Sequence, residues 1–438
     1  MTLIITPKNK PLLKELDIEA SDKSLSHRVC MLALFAEGKC KVSRFLQAED
    51  TMRSLHIATS LGLSYELNGK DLILNPPKDG LRPPSNILYC GNSGTSMRLY
   101  AGLISGANLY AILCGDKYLH ARPMERIVEP LKSMGANIIA RDTGLAPLSL
   151  LPREAPLQGI NHESNLSSAQ VKSAVILAGL QASSPSSYKE AALSRDHTEN
   201  LIQAYQKHKF LKIDSKGALQ VTPFSAFECG QAPLKSFEID IPNDPSSAFF
   251  FVVLAIILPQ CQVMLKRVML NKTRTEALKV LESMGATLSY HHVQVGVETS
   301  ADILVKSSSL KATTVSKNIA WLIDEIPALS IAFSVAKGRS IVRNAGELRV
   351  KESDRIGAVI EGLRNFGIEV IEHEDGFEVE GGSLKRGKVD SKGDHRIAMS
   401  FAIAASLCGG EIGDCECINT SFPNFLSILG QFSQIEHA

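Results

Sequence analysis

A short polar turn followed by an apolar stretch recurs six times along the chain, and this recurrence constrains the fold more than any single motif. The copies are Ser24-Leu25-Ser26-His27-Arg28-Val29, Gly94-Thr95-Ser96-Met97-Arg98, Ser168-Ala169-Gln170-Val171, Ser246-Ser247-Ala248-Phe249, Asp324-Glu325-Ile326-Pro327 and His395-Arg396-Ile397-Ala398. They begin at positions 24, 94, 168, 246, 324 and 395, with gaps of 70, 74, 78, 78 and 71 residues. Six units averaging 73 residues account for all 438. Self-similarity of this kind means repeated supersecondary units that bury their apolar faces against one another.

A second feature recurs between these turns: an amphipathic helix, a glycine, then two short strands. It is read at Ser54–Gly62–Leu74, Glu129–Gly135–Leu151, Glu276–Gly285–Val305 and Ala358–Gly367–Val379. A copy from Asn200 to Val221 lacks the glycine, and a sixth is cut short around Phe425 to Gly430. A glycine at a helix end supplies the positive φ needed there. Asn68-Gly69 and Asp375-Gly376 then mark hairpin turns. Each unit reads strand–helix–strand–helix–strand–strand, an α/β fold of βαβαββ repeats.

The first helix of each unit is apolar nearly all round, most clearly over Phe249-Phe250-Phe251-Val252-Val253-Leu254-Ala255-Ile256-Ile257. Such a helix is buried on every side. Six buried helices suggest two lobes of three units, the helices of each lobe running parallel. The break is expected near Phe224 to Phe237; the lobes are taken as 21–240 and as 1–20 plus 241–438.

Composition narrows the function. Lys plus Arg is 47 and Asp plus Glu is 46, a net charge of +1, which argues against a dedicated nucleic-acid binder. The longest apolar run, Ala248 to Leu258, is far short of a membrane-spanning helix. Met1 to Glu15 is polar and Lys-rich, without the apolar core of a secretory signal. Nine scattered cysteines read as reduced thiols of a cytoplasmic protein, most of them small core residues. Cys415 and Cys417 have no second pair to complete a zinc site, and His197 and His395 have no partner at metal spacing, so no metal is expected.

The six turns point to anions. A helix N-terminus offers free N–H groups and a partial positive charge. Here the turns carry Lys23, Ser24, Asn92, Ser93, Gly94, Ser167, Ser168, Gln170, Asn243, Asp324, Asp394 and Arg396. Parallel helices would bring them to one face of each lobe, and two such faces across a cleft would trap a phosphorylated or carboxylated substrate. Ser, Asn and Asp at helix starts are ordinary caps when taken singly. Lys23 and Arg396 are not, because a cation there opposes the helix dipole unless an anion answers it. The charge runs Lys351-Glu352-Ser353-Asp354-Arg355 and Ser194-Arg195-Asp196-His197-Thr198-Glu199, each taken alone, read as solvated helix starts. Gly91-Asn92-Ser93-Gly94-Thr95 lacks the spacing of a nucleoside-triphosphate loop.

Taken together and in order, eight segments resemble the enolpyruvyl transferase family over nearly the whole chain. They are Asp22-Lys23-Ser24-x-x-x-Arg28, Gly91-Asn92-Ser93-Gly94-Thr95-x-Met97-Arg98, Arg122-Pro123-Met124, Ser168-Ala169-Gln170-Val171-Lys172-Ser173-Ala174, Ser194-Arg195-Asp196-His197-Thr198-Glu199, Asp324-Glu325-Ile326-Pro327, Leu348-Arg349-Val350-Lys351-Glu352-Ser353-Asp354-Arg355-Ile356 and Asp394-His395-Arg396-Ile397-Ala398-Met399. The family fold, an inside-out α/β barrel of two three-unit lobes, agrees with the repeat. The resemblance implies a monomer that needs no cofactor, metal, nucleic acid or membrane. It also implies transfer of the enolpyruvyl group of phosphoenolpyruvate to the 5-hydroxyl of shikimate 3-phosphate, in chorismate and aromatic amino-acid biosynthesis. Addition gives a tetrahedral intermediate, and elimination releases phosphate.

Residue roles follow from the same resemblance. Lys23, Gly94, Arg122, Gln170, Arg355 and Arg396 would hold phosphoenolpyruvate. Lys23, Ser24, Arg28, Ser168, Gln170, Ser194, Asp324 and Lys351 would hold shikimate 3-phosphate. Asp324 is the expected base for the 5-hydroxyl and Glu352 the proton donor to C3, with Lys23 assisting near the leaving phosphate. A donor carboxyl must be neutral, a state that adjacent anionic substrates favour. The lobe over 21–240 would mainly bind shikimate 3-phosphate, and the other would supply the acid and base together with phosphoenolpyruvate contacts. Lobe closure would exclude water. Glyphosate, which competes with phosphoenolpyruvate in this family, is an expected inhibitor.

Three departures stand out: Ser21 for the usual glycine, Leu99 for a frequent proline, and Asn419 for a frequent lysine. Relatives acting on UDP-N-acetylglucosamine usually carry Asn after the first lysine and Cys five residues before the arginine of Ala-Arg-Pro. This chain has Ser24 and Lys117 at those places, which favours shikimate 3-phosphate. An RNA 3′-phosphate cyclase relative is disfavoured by the near-zero charge. A non-catalytic anion-binding relative is disfavoured by the presence of Asp324, Glu352 and Lys23 together.

Overall fold

The computed structural model describes residues 1–8, 12–142, 144–165, 167–215, 217–226 and 232–437. The chain divides into two compact units, one of Lys23–Ile241 and one of Met1–Asp22 with Pro242–Ala438. Part of the break expected from Phe224 to Phe237 lies outside the described residues; the division itself falls between Ile241 and Pro242.

The described residues form six four-stranded sheets, three in each unit, and all follow one pattern. In one of them Leu88–Tyr89 runs parallel to Ala111–Cys114, which is antiparallel to Leu145–Leu151, itself antiparallel to Asn137–Arg141. The helix Gly94–Ala107 joins the first pair, and Glu125–Ser133 leads on to the last two strands. This is the expected βαβαββ order. A parallel pair needs such a crossover, whereas the antiparallel pair closes through a short turn.

Closure differs from the linear reading. The sheet containing Cys40–Ser43 takes its parallel strand from Glu238–Asp240, beyond the third repeat. Leu12–Leu16 runs parallel to Cys261–Met269 and so opens the fourth repeat. The sixth repeat is short in sequence, with a five-residue helix Phe425–Leu429, but its sheet is complete. The strand Leu3–Pro7 enters between Gly410–Gly413 and Ser433–His437 and supplies what the repeat lacks.

Gly62, Gly135, Gly285 and Gly367 follow their helices with φ of 116°, 94°, 103° and 82°, as a helix end requires. Gly376 corrects the hairpin reading. His373 pairs with Gly376, so the turn residues are Glu374 and Asp375. Gly376 is needed for space, because an added Cβ would lie 2.0 Å from the Val342 carbonyl oxygen.

The first helices are the cores of the units. In Pro245–Ile257 every residue from Pro245 to Ile256 is buried. Each such Phe, Leu, Ile or Val contributes roughly 1.5–3 kcal/mol through burial. This helix packs against Ile326–Ser334 and His395–Cys408, which also pack against each other. In the other unit Gly94–Ala107 packs on Ala169–Gly179 at a place where a Cβ on Gly102 would lie 2.2 Å from the Ala174 carbonyl oxygen. Leu99, in place of the frequent proline, is fully buried on the same helix. Among the described residues no helix is long and apolar enough to cross a membrane. Cys30, Cys40, Cys90, Cys261 and Cys415 are buried, and Cys114, Cys408 and Cys417 half-buried, all as free thiols.

Candidate active site

The unit Lys23–Ile241 gathers cations at its helix starts. Lys23 is the first residue of the helix Lys23–Leu32, and its Nζ lies 2.5 Å from Asp50 Oδ2. The counter-charge that the dipole argument demands at this end is therefore present within the protein. Arg28, buried on the same helix, donates from Nε to Thr198 Oγ1 at 2.6 Å and from Nη2 to Ser173 Oγ at 3.1 Å. Its Nη1 donates to the Ser24 carbonyl at 3.0 Å. Between these cations lies His27, fully buried, with Nδ1 2.7 Å from Ser54 Oγ. Burial, then the charges of Lys23 and Arg28, hold its imidazole well below the usual range.

A second group forms where the helices Gly94–Ala107 and Ala169–Gly179 begin. Gln170 Nε2 donates to Thr95 Oγ1 at 3.0 Å, and its Oε1 accepts from Arg98 Nη1. Arg98 Nη2 also donates to the Pro123 carbonyl at 3.1 Å. Arg122 Nη2 donates to Asn92 Oδ1. A Cβ on Gly94 would lie 3.2 Å from a terminal nitrogen of both Arg122 and Arg98, so only glycine leaves these guanidinium groups undisturbed. Ser168 caps its helix, accepting from the Val171 N–H at 3.5 Å. Ser194 is buried, its N–H donates to Glu190 Oε1 at 2.8 Å, and its Oγ has no hydrogen-bond partner. The run 194–199 is not a solvated helix start: Ser194, His197, Thr198 and Glu199 are all buried.

The second unit gathers carboxylates around guanidinium groups. Arg355, only 1% exposed, corrects the reading of its charge run as a solvated face. Its Nη1 donates to Asp324 Oδ1 at 3.1 Å, Nη2 to Glu352 Oε2 at 2.7 Å and Nε to Asp394 Oδ2 at 2.8 Å. Lys351 Nζ stands 3.6 Å from Asp324 Oδ1, and Arg396 Nη2 stands 3.9 Å from Asp324 Oδ2. Arg396 Nη1 also donates to the Asp324 carbonyl at 3.0 Å. Burial opposes the charge of Arg355, but Asp394, Glu352 and Asp324 outweigh it and raise its pKa. Burial likewise opposes the charge of Asp394, yet Arg355 draws its carboxyl below the usual range.

All five expected residues of this unit thus meet, and the starts of its helices meet with them. Arg396 joins the helix His395–Cys408 to Asp324, and Ser246 donates to Glu325 across the starts of Pro245–Ile257 and Ile326–Ser334. Buried Arg274 ties Asp22, Asp244 and Ser246 at 3.1, 2.8 and 2.7 Å. Asn419 lies exposed in the 3₁₀ turn Cys415–Thr420, away from these contacts in sequence.

Sequence reasoning assigned no site role to four contributors, Arg98, Asn92, Asp50 and Asp394, although it placed Asn92 and Asp394 in the polar turns. Arg98 carried a usable signal, since it is a cation in the first turns of a buried helix, as Lys23 and Arg396 are. The other three act as partners of cations that lie between 27 and 39 residues away in sequence.

The family pattern described as EPSP synthase (3-phosphoshikimate 1-carboxyvinyltransferase) matches residues 7–429. A 3-phosphoshikimate 1-carboxyvinyltransferase of Helicobacter hepaticus is 52% identical over 426 residues, covering 97% of this chain and 96% of the relative. One of Sulfurimonas denitrificans is 50% identical and covers 95% of each chain. The solved EPSP synthase of Acinetobacter baumannii superposes with a TM-score of 0.85 at 35% identity, covering both chains fully. With this fold, these motifs and this extent of identity, the chain belongs to the EPSP synthase family.

Proposed function

We propose that Asp324, Glu352 and Lys23 carry the chemistry of the family reaction in this chain. That reaction is 3-phosphoshikimate 1-carboxyvinyl transfer in the shikimate pathway, with phosphoenolpyruvate and shikimate 3-phosphate as substrates. The observation that carries the proposal is the cluster in which one buried guanidinium, Arg355, touches Asp324, Glu352 and Asp394 together.

Asp324 takes the proton of the 5-hydroxyl as that oxygen attacks C2 of phosphoenolpyruvate. Glu352 gives its proton to C3, and a tetrahedral intermediate results. Glu352, now a carboxylate, removes a proton from C3, the C2–O bond to phosphate breaks, and phosphate leaves with its electron pair beside Lys23. Arg355 and Arg396 hold the phosphoenolpyruvate anion with Arg122, Gly94 and Gln170. An anion placed beside Glu352 favours its neutral, proton-donating form. Ser24, Arg28, Ser168, Ser194 and Gln170 hold the shikimate phosphate, and Lys351 and Asp324 its ring hydroxyls. Hydroxyl and guanidinium donors of this kind suit a phosphate dianion.

The reading also takes the chain as a cytoplasmic monomer. Its eight described free thiols support a reducing compartment, and light scattering on the purified protein checks the monomer.

The test is phosphate release by the purified protein in the presence of EDTA. Release requires both substrates together and yields a carboxyvinyl product. Glu352→Gln lowers kcat by roughly 10²–10⁴-fold with an unchanged melting temperature; full activity in that variant removes Glu352 from the donor role.

A further inference from the structure

Lys172 is a buried charge that the proposed chemistry does not use. It lies on the helix Ala169–Gly179, close to Ser168 and Gln170, and its side chain is 2% exposed. An ammonium has three N–H donors. Here they meet Glu190 Oε1 at 2.8 Å, Glu199 Oε1 at 2.8 Å and the Ser194 carbonyl at 3.4 Å. Glu190 Oε1 also accepts the Ser194 N–H at 2.8 Å, so both backbone polar groups of Ser194 are fastened to this one cluster. Glu199 closes the other end of the 194–199 segment on the same ammonium. Within that segment Thr198 Oγ1 meets Arg28 Nε at 2.6 Å and Ser173 Oγ at 2.6 Å.

The arrangement leaves one group over. Ser194 Oγ is buried and has no hydrogen-bond partner, although its backbone is held on both sides. A buried hydroxyl left unsatisfied costs stability unless a ligand completes it. Burial opposes the charge of Lys172, but Glu199 and Glu190 outweigh it and keep the group cationic.

We propose that Lys172 is a positioning residue for shikimate 3-phosphate, fixing the Ser194 hydroxyl relative to Ser168 and Gln170 by clamping the 194–199 segment to the helix that bears them. This rests on the reading that Ser194 holds the substrate phosphate. Lys172 touches no substrate. It acts through Glu190 and the Ser194 backbone, and its removal affects one substrate and spares the other.

The experiment combines affinity and kinetics. Removing Lys172 alone would leave two buried carboxylates without their cation, so the variant used is Lys172→Met with both Glu190→Gln and Glu199→Gln. Its Kd for shikimate 3-phosphate, measured by calorimetry, rises about tenfold, the effect of one misplaced hydrogen bond to a charged group. Its KM for phosphoenolpyruvate stays within about twofold of the parent. Glu190→Ala, which leaves the Lys172–Glu199 pair balanced and so keeps the fold, gives the same split. Adding Ser194→Ala to the Lys172→Met, Glu190→Gln, Glu199→Gln chain costs little more, because contributions through one hydroxyl do not add. Equal effects on the two substrates, or an undiminished cost of Ser194→Ala in that background, overturn the positioning role. If Ser194→Ala in the otherwise native chain leaves shikimate 3-phosphate affinity unchanged, the assignment of Ser194 itself fails, and the inference falls with it.

Discussion

Several arginines of the two compact units are held by different means. In Lys23–Ile241, Arg28 donates to hydroxyls and a carbonyl, Arg98 to a carboxamide and a carbonyl, and Arg122 to a carboxamide. In the unit of Met1–Asp22 with Pro242–Ala438, Arg355 and Arg274 are ringed by carboxylates. A neutral acceptor fixes the direction of a guanidinium. A carboxylate fixes direction too, and adds a group that can take or give a proton. On the proposed roles, the first arrangement suits gripping polyanions and the second suits proton transfer.

The largest effect that could break this contrast comes from Arg355. Arg355→Met leaves Asp324, Glu352 and Asp394 clustered without their shared cation, and costs about 3–5 kcal/mol of stability. Thermal unfolding measures this, and hydrogen exchange locates the loss in the carboxylate-rich unit. A melting temperature equal to the parent's would mean that the cluster is not a coupled one. Asp324→Asn keeps the shape of the site and removes the proposed base. Its kcat falls roughly 10²–10⁴-fold while the KM for phosphoenolpyruvate stays close to the parent's, as steady-state kinetics shows.

Arg28→Gln sharpens the other side of the contrast. Loss of one charge-assisted contact weakens shikimate 3-phosphate by roughly 10–100-fold and leaves kcat nearly unchanged, read from KM for each substrate. An effect confined to kcat would move Arg28 out of the gripping set. Gly94→Ala is milder. A methyl 3.2 Å from Arg98 and Arg122 displaces both guanidinium tips by a few tenths of an ångström, so phosphoenolpyruvate and glyphosate bind a few-fold to about tenfold more weakly. An unchanged glyphosate response counts against the placement of Gly94.

A further effect is one of pH. His27 has its folded pKa well below 6.5, so the unfolded chain binds a proton that the folded one refuses. The stabilisation it gives is therefore present above 6.5 and is lost below it, by about 1.4 kcal/mol per pH unit until the folded pKa is reached. The depressed pKa of Asp394 acts in the same direction, but only below its ordinary value of 3.8. Between pH 6.5 and 5, hydrogen-exchange protection, corrected for the intrinsic rate at each pH, should fall in Lys23–Ile241 before it does in the other unit. His27→Gln should flatten that slope.

Much of this was legible in the sequence because it is local. The apolar helices, the glycines that end the second helices and the order of strands all repeat within about 73 residues. The pairing of Leu3–Pro7 with Gly410–Gly413 and Ser433–His437 leaves no such trace, since register between distant strands is set by packing. Gly376 misled because glycine serves close approach as well as positive φ. In the site, the cations and the acid–base pair stood in motifs. Asp50 did not stand out, and Asn92 and Asp394 stood out only as turn residues, because an acid or amide gains its meaning as a partner only from the cation that folding brings to it.

The returning N-terminal strands set an order for the chain as it leaves the ribosome. Leu3–Pro7 and Leu12–Leu16 are made long before their partners: that of the second appears at Cys261 and those of the first only after Gly410. The unit Lys23–Ile241 contains all its own strands and can close while these two wait. Domains fold as their residues emerge, at about 5–20 residues per second. Leu3–Pro7 is therefore among the last strands to find its place, and a chain truncated before Gly410 leaves it unpaired.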